Sequence, residues 1–262
     1  IKIFTEPGQP GHVYRPVFES LLKKLELPEG FVLLPAFYQT LIHFKKMKKP
    51  FALCFRTFGE DLPEVAKEFN KFCNGKHPSF PGVQFNTKDN DIMLNENNIG
   101  AFFRRGPSSD DCYLIMGTLA QPKVDYKGDV SKFYNEGTVK IYHGFKNIDT
   151  FMQEQFKKGV SLGLRDYYPW WASCSEHFDS GKLILIDKED KTRARQLFFD
   201  DNIRISNYKN NGRFIVDPRR LDNGEPFKDV EGLIGDTLFH ADALYAIQNE
   251  NYFVDIIESL NQ

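Results

Sequence analysis

The sequence predicts an α/β protein in which a Rossmann-like parallel sheet is flanked by helices and carries an inserted β-rich, cap-like segment. Toward both ends of the chain, short apolar runs alternate with longer segments whose apolar residues recur at helical spacing, which is typical of α/β folds. Residues 76–146 hold paired strand-like runs and long polar loops instead. We therefore expect one α/β domain over residues 1–262, with residues 76–146 as an insertion within it.

The composition predicts a globular protein with a substantial core. Of the 262 residues, 41% are apolar and 27% charged, and the 25 phenylalanines predict a Phe-rich core. A formal net charge of −2 gives no overall electrostatic footprint for nucleic acid, so no nucleic-acid partner is expected. No apolar run approaches the roughly 20 residues that span a bilayer, so no membrane span is expected either.

The four cysteines are scattered along the chain and form no C-x-x-C pair. This usage favours a reduced, cytoplasmic setting, and two disulfides remain the alternative. The cysteines are Cys54, Cys73, Cys112 and Cys174.

Helical periodicity and apolar runs divide the chain into predicted elements. Pro218 is expected to end one of the strands, and residues 203–211 are expected to be mostly loop. The predicted helices cover residues 13–27, 31–49, 62–72, 148–158 and about 237–260, and the predicted strands cover 51–55, 99–105, 111–119, 139–143, 183–186 and 214–217.

Residues 196–202 (QLFFDDN) carry a short apolar run directly into two adjacent carboxylates, Asp200 and Asp201. Two carboxylates at a strand end repel each other and are costly to desolvate unless a cation lies between them. Mg²⁺, which prefers oxygen ligands, is the natural candidate. The alternative is a helix N-cap or a turn, because Asp and Asn favour both.

Two further apolar runs are next to polar residues that suit a phosphate. FALCF is followed by Arg56 and Thr57, and Lys182 precedes LILI. The hydroxyl of Thr57 can donate a hydrogen bond to a phosphate oxygen, and a lysine such as Lys182 or Lys191 can neutralise a phosphate and hold a carboxylate. Together with the acidic pair, these are parts for phosphoryl transfer, which depends on positioning and charge neutralisation.

The order of these residues resembles the haloacid dehalogenase-like (HAD-like) hydrolase superfamily, whose later motifs are a strand ending in Ser or Thr, a lysine, and a strand ending in paired acids. FALCFRT matches the first of these and FFDD the last. Lys182 is favoured over Lys191 because it follows a glycine and precedes a strand. The resemblance implies a Mg²⁺-dependent phosphohydrolase acting on a phosphomonoester or a related small molecule. It also implies a cap at residues 76–146, with Thr57 and Lys182 catalytic and Asp200 and Asp201 binding the metal.

One part of the superfamily pattern is missing from the chain. The first motif is a strand followed by D-x-D-x-[T/V], whose first Asp is the nucleophile. Nothing in the sequence matches it in full, and residues 183–190 (LILIDKED) follow an apolar run with acidic residues at the wrong spacing. One expectation is a nucleophile strand upstream of residue 1, which makes the domain N-terminally incomplete. A second is a catalytically silent HAD-like protein that binds a ligand or a protein partner. A third is an unrelated α/β protein in which the acidic pair is only a turn.

Other residue patterns carry weaker functional signals. The six histidines show no metal-binding spacing, and Ser173 and Ser175 near His177 lack a G-x-S-x-G elbow. Trp170 and Trp171 offer rings that stack on ligands, although packing in the core or the cap is the favoured interpretation.

Overall fold

The computed structural model describes residues 3–25, 33–87, 90–135, 137–209 and 214–260. Residues 26–27 and 31–32 of two predicted helices, and residues 210–211 of the predicted loop, lie outside this part. The α-helices of the described residues are α1 (Arg15–Leu25), α2 (Pro35–Met47), α3 (Leu62–Cys73), α4 (Phe145–Lys157), α5 (Tyr168–Ser173), α6 (Ile205–Lys209), α7 (Ala243–Gln248) and α8 (Tyr252–Ser259).

The β-strands alternate with these helices toward both ends of the chain. They are β1 (Cys54–Thr57), β2 (Asn86–Thr87), β3 (Asn90–Asp91), β4 (Ile99–Arg104), β5 (Cys112–Met116), β6 (Lys140–His143), β7 (Leu162–Arg165), β8 (Lys182–Ile186), β9 (Phe198–Asp200), β10 (Val216–Arg220) and β11 (Leu238–His240).

The central sheet has five strands in the order β1-β7-β4-β5-β6. The β1–β7 and β7–β4 pairs are parallel, whereas the β4–β5 and β5–β6 pairs are antiparallel. The protein is therefore a mixed α/β protein, as the alternation of elements predicted. Residues 76–146 contribute three strands to this same sheet, and their role as a cap over a site stays a prediction.

The remaining strands form two-stranded ladders. β8 pairs with β10 and β9 pairs with β11, both in parallel, and β2 pairs with β3 in an antiparallel ladder. Gly181 allows the close approach of β8 and β10, because a Cβ at this position would lie 2.3 Å from the carbonyl oxygen of Ile215. The three apolar runs that precede or follow the predicted site residues thus belong to three different ladders.

The core is rich in phenylalanine, as the composition predicted. One cluster lies between the central sheet, α4 and β8, a second surrounds β8–β11, and a third lies under α2 and α3. Representative buried side chains are Phe102, Leu114 and Ile148 in the first, Trp171, Phe214 and Leu238 in the second, and Tyr38, Phe69 and Phe72 in the third.

The strand predicted at residues 51–55 is shifted toward the C-terminus. β1 ends at Thr57 and so includes Arg56, which an apolar-run criterion excludes. The guanidinium of Arg56 is neutralised by Asp166, to which Nε donates at 2.8 Å. Because the charge is paired, it does not end the strand.

The expectation that Pro218 ends a strand is wrong, since β10 runs through it to Arg220. In the ladder with β8, Lys182 N–H donates to the carbonyl of Ile215 and Leu221 N–H donates to that of Ile186. The peptide groups of alternate residues therefore face β8, and the nitrogen of Pro218 faces the outer edge. Proline is tolerated at an edge because the ladder needs no N–H there.

Among the elements that the predictions miss or assign differently are β7, α6 and β11. β7 was not predicted, because four residues with a glycine give little periodicity. α6 is a short helix where a loop was expected. The predicted helical region over 237–260 contains β11 at its start, because Leu238–His240 pair with β9, and it continues as α7 and α8.

None of the helices in the described part of the chain combines the length and the apolar character that a bilayer crossing requires.

Candidate functional site

Lys182 and Asp200 form an ion pair where three segments of the chain meet. The Lys182 ammonium lies 2.9 Å from Asp200 Oδ2 and donates a second hydrogen bond, at 3.3 Å, to the carbonyl oxygen of Arg56. The two side chains are only 6% and 9% exposed. Lys182 begins β8, Asp200 ends β9 and Arg56 is near the end of β1, so residues far apart in sequence converge on one ammonium group.

Aromatic rings surround this ammonium group. Lys182 Nζ lies 5.3 Å from the ring centroid of Phe58 and 6.0 Å from that of Phe198. The Phe58 ring stacks on Trp171 at 5.0 Å between centroids and 15° between planes. The rings present their negative faces to the ammonium and so stabilise its charge. Because they also exclude water, they strengthen the hydrogen bonds that the lysine makes.

The two carboxylates of the acidic pair have different surroundings. Asp200 accepts from Lys182 at one oxygen and from Asn202 N–H, at 2.9 Å, at the other. Asp201 is exposed and accepts a 3.0 Å hydrogen bond from the side-chain amide of Asn202. The turn that Asp and Asn favour is thus present, and in addition Asp200 pairs with the buried ammonium group of Lys182.

Thr57 lies beside this cluster without a hydrogen bond to Lys182 or Asp200 among the described residues. Its hydroxyl donates to Asp61 Oδ1 at 2.7 Å and accepts from Gly59 N–H at 2.9 Å. Thr57 directly follows Arg56, whose carbonyl accepts from Lys182. The structure therefore brings together Lys182 and Asp200 and places Thr57 one residue from their contact.

The alternative lysine lies elsewhere. Lys191 is exposed, and its ammonium donates to the carbonyl of Lys188 at 2.6 Å within its own turn. Of the two lysines considered from the sequence, Lys182 is the one that contacts the acidic pair.

A buried ion pair behind the site was not predicted. The Arg56 guanidinium pairs with Asp166, with side chains 5% and 4% exposed, and also donates to the carbonyl of Leu183 at 3.2 Å. It therefore fixes the end of β1 against the start of β8, beside Lys182. The position of Arg56 within FALCFRT was visible in the sequence, but its partner is 110 residues away.

A second buried network anchors the other side of β8. Asp217 accepts from Arg104 at 2.7 Å and from Arg219 at 2.6 Å, and Arg104 also donates to the carbonyl of Gly181 at 2.9 Å. Burial raises the pKa of the Asp217 carboxyl, although both arginines favour its charged form. The residue directly before Lys182 is held in place by this network.

The donors at the acidic pair suit Mg²⁺ in chemical type. Asp200 and Asp201 supply two carboxylates, and Mg²⁺ commonly takes one or two carboxylates together with water and phosphate oxygens. Within the described residues, no cluster of three or more His, Cys, Asp or Glu side chains is arranged to hold a metal ion. Asp200 and Asp201 are therefore two oxygen ligands of the type that Mg²⁺ takes, and the described residues add no third carboxylate to them.

Comparison of the chain with protein-family models, with curated proteins and with solved structures finds no match.

Proposed function

We propose that the chain is a HAD-like protein with a Rossmann-like arrangement of strands, and that it carries the phosphate- and cation-binding part of a Mg²⁺-dependent phosphohydrolase site. The observation that supports this proposal is the Lys182 ammonium, which contacts Asp200 Oδ2 at 2.9 Å and the Arg56 carbonyl at 3.3 Å. These contacts bring the three motif segments together at one ammonium group. The substrate is a phosphomonoester or a related small phosphorylated molecule.

Lys182 has the role of neutralising a phosphate oxygen. Two of the three ammonium protons have acceptors, namely Asp200 and the Arg56 carbonyl. Among the described residues the third proton has no acceptor, so it is available to a ligand. Asp200 orients the ammonium and pairs with its charge in a largely buried place. The aromatic neighbours lower the local dielectric, so that a bound phosphate gains more from the lysine than it does in water.

Thr57 supplies a hydroxyl donor to the same phosphate. Its proton is directed at Asp61 in the structure, and its oxygen accepts from Gly59 N–H. When the hydroxyl rotates toward a phosphate it exchanges one anionic acceptor for another, which conserves the hydrogen bond. The Gly59 contact remains and keeps the oxygen in place.

Asp200 and Asp201 would hold Mg²⁺ beside the phosphate. When bound, the ion neutralises phosphate charge and orients the phosphoryl group. Asp201 is exposed and would bind such an ion without breaking a buried contact, whereas Asp200 would have to bind it while still accepting from Lys182.

Binding without hydrolysis is the second candidate function. It is favoured by one observation, namely that no D-x-D-x-[T/V] motif occurs in residues 1–262. The described residues then bind phosphate and cation, while the attacking carboxylate has no counterpart among them. The same pocket serves as a ligand- or partner-binding site in that case. The cytoplasmic location favoured by the cysteine pattern stays a prediction in both cases.

Calorimetric titration with MgCl₂ and inorganic phosphate tests the proposal. We expect Asp201→Asn to weaken Mg²⁺ binding by about tenfold or more, because one of two carboxylates is lost. The matched control is Asp190→Asn, which changes an exposed aspartate that also accepts hydrogen bonds within its own turn, from Thr192. Lys182→Gln should weaken phosphate binding, with Lys191→Gln as its control.

The outcomes separate the candidate functions. Binding that is lost in the site variants and kept in the controls supports the site, and Mg²⁺-dependent release of nitrophenol from p-nitrophenyl phosphate then distinguishes hydrolysis from binding alone. If wild type binds neither Mg²⁺ nor phosphate, or if Asp190→Asn and Asp201→Asn behave alike, the proposed site is wrong.

A further inference from the structure

A cavity of about 950 Å³ lies between β1 and β9, and its lining includes Arg56, whose carbonyl accepts from Lys182. Helices α2, α4 and α8 contribute to its walls, and most of its lining is apolar. An apolar cavity of this size is more often a binding site than a surface that contacts only solvent. Its lining includes Phe51, Cys54, Leu183, Leu197, Phe199 and Phe253.

The edge of β1 that faces the cavity is unpaired with any strand of the described residues. On its other side, β1 pairs with β7: Leu162 N–H donates to the Leu53 carbonyl and Asp166 N–H donates to that of Thr57. Peptide groups of successive residues point to opposite sides of a strand. Those of Cys54 and Arg56 therefore point away from β7, and the Arg56 carbonyl accepts from the Lys182 side chain.

The edge of β9 that faces the cavity is likewise unpaired with any strand of the described residues. Phe198 N–H donates to the Thr237 carbonyl at 2.8 Å, and Ala241 N–H donates to the Asp200 carbonyl at 3.0 Å, so these peptide groups belong to the ladder with β11. The peptide groups of Leu197 and Phe199 point to the other side. In the described part of the chain, no strand pairs with them.

Lys182 connects the two edges at one end. Its ammonium contacts the β1 backbone at Arg56 and the β9 side chain of Asp200. Both edges therefore border one cavity, and both strands have their C-terminal ends at the lysine.

We infer that this cavity binds an extended, apolar peptide segment that adds a strand between β1 and β9. An extended backbone offers donors and acceptors on both sides at a repeat of two residues, which is what two facing strand edges require. The helices around the cavity cover the faces of the added strand, and a strand buried on both faces is a continuous apolar run.

The Lys182 ammonium determines the direction in which this segment runs and the type of its last residue. One Lys182 proton has no acceptor among the described residues. A segment that runs parallel to β1 and β9 places its C-terminal end at this ammonium, where an acidic residue is the complementary group. The inference depends on the strand edges, the cavity and Lys182, and it holds whether or not the site hydrolyses phosphate esters.

Fluorescence anisotropy with a labelled peptide, Lys-Lys-Val-Ile-Val-Phe-Asp, tests the inference on the full chain. We expect saturable binding to wild type. A peptide with proline in place of both valines should bind about tenfold more weakly or worse, because it lacks the N–H donors. A peptide ending in Lys instead of Asp should also bind more weakly, because its charge opposes Lys182.

Protein variants locate the binding site. Leu197→Lys places a charge in the cavity and should weaken binding by about tenfold or more. Leu244→Lys is the matched control, because Leu244 is 57% exposed on α7 and lies outside the cavity, and it should leave the affinity unchanged. Hydrogen exchange provides a second readout that needs no variant: bound peptide should slow exchange of the amides of Cys54 and Phe199.

Three results would overturn the inference: no binding of the apolar peptide, equal binding of the proline-containing peptide, or unchanged exchange at both amides when the peptide is bound. Equal binding would show that the cavity accepts apolar material without strand pairing. The assay contains neither phosphate nor Mg²⁺, so its failure would leave the proposed phosphate site standing, and failure of that site would leave a positive peptide result intact.

Discussion

At the residue scale, Lys182 and Asp200 illustrate how a buried ion pair is tolerated. Both groups lose hydration, since their side chains are 6% and 9% exposed, and this loss is unfavourable for each ion alone. Their mutual contact, the Arg56 carbonyl and Asn202 N–H replace the lost water. Because each charge depends on the other, removal of one leaves the second uncompensated.

We expect Lys182→Met to lower the free energy of unfolding by about 3–5 kcal/mol, because Asp200 loses its cation in a largely buried place. Combination with Asp200→Asn should restore part of the loss, since the remaining carboxylate charge is then absent. Urea denaturation at pH 7 measures both effects.

Lys191→Met is the control for this prediction. Lys191 is exposed and bonds only within its own turn, so its replacement should change stability by less than about 0.5 kcal/mol. A similar cost for the two lysine variants would mean that Lys182 and Asp200 are not coupled in the folded protein.

At the element scale, the parallel pairing of β8 with β10 depends on a close approach at Gly181. Gly181→Ala should lower the free energy of unfolding by about 1–3 kcal/mol, because its Cβ would meet the Ile215 carbonyl oxygen at 2.3 Å and separate the strands. Gly232→Ala is the matched control, because its Cβ meets the carboxylate of Asp229, an exposed side chain that can rotate away with the loss of only one exposed hydrogen bond, from Gly232 N–H. Thermal unfolding of both variants checks the prediction, and equal losses would contradict it.

The elements that depend on local sequence could be predicted, and those that depend on distant partners could not. Helices α2 and α3 follow the spacing of their apolar residues. The extension of β1 to Thr57 depends on Asp166, and β10 continues through Pro218 because of the side that its nitrogen faces. The sequence around β11 predicts helix, because the strand forms only by pairing with β9, which lies about forty residues earlier along the chain.

At the candidate site too, local sequence predicts individual residues but does not predict contacts between distant residues. Lys182 and Asp200 were selected from residue type and strand context, and they are in contact. The buried partners of Arg56 and Arg104 were not visible, because no short-range pattern links residues that are more than one hundred positions apart. Thr57 was selected by its place after a strand, but its hydroxyl is directed at Asp61 by a local turn.

At the scale of the whole molecule, buried thiols make stability depend on alkaline pH. Cys73 and Cys112 are fully buried, and burial raises the pKa of each thiol from 9.0 to about 12. In the unfolded chain the thiols ionise near pH 9, whereas in the folded protein they stay protonated until about pH 12. Their contribution to stability is therefore complete below pH 9 and is lost as the pH rises toward 12.

We expect the free energy of unfolding to fall between pH 9 and 12 by about 1.4 kcal/mol per pH unit for each of these thiols. Urea denaturation under reducing conditions at several pH values measures the slope. Joint replacement of Cys73 and Cys112 by alanine should reduce the slope, whereas Val130→Ala, a buried change without a titrating group, should lower stability equally at every pH. An unchanged slope in the double variant would contradict the assignment.

The path of β10 through Pro218 has a consequence for self-association. On the outer side of this strand Pro218 offers no N–H, its carbonyl already accepts from Phe227 N–H at 2.8 Å, and Arg220 N–H donates to the Glu225 carbonyl at 2.9 Å. A strand from another copy of the protein finds neither a free donor nor a free acceptor at these positions. Polymerisation by edge-to-edge growth is therefore blocked on this side of the molecule by the chain's own returning segment.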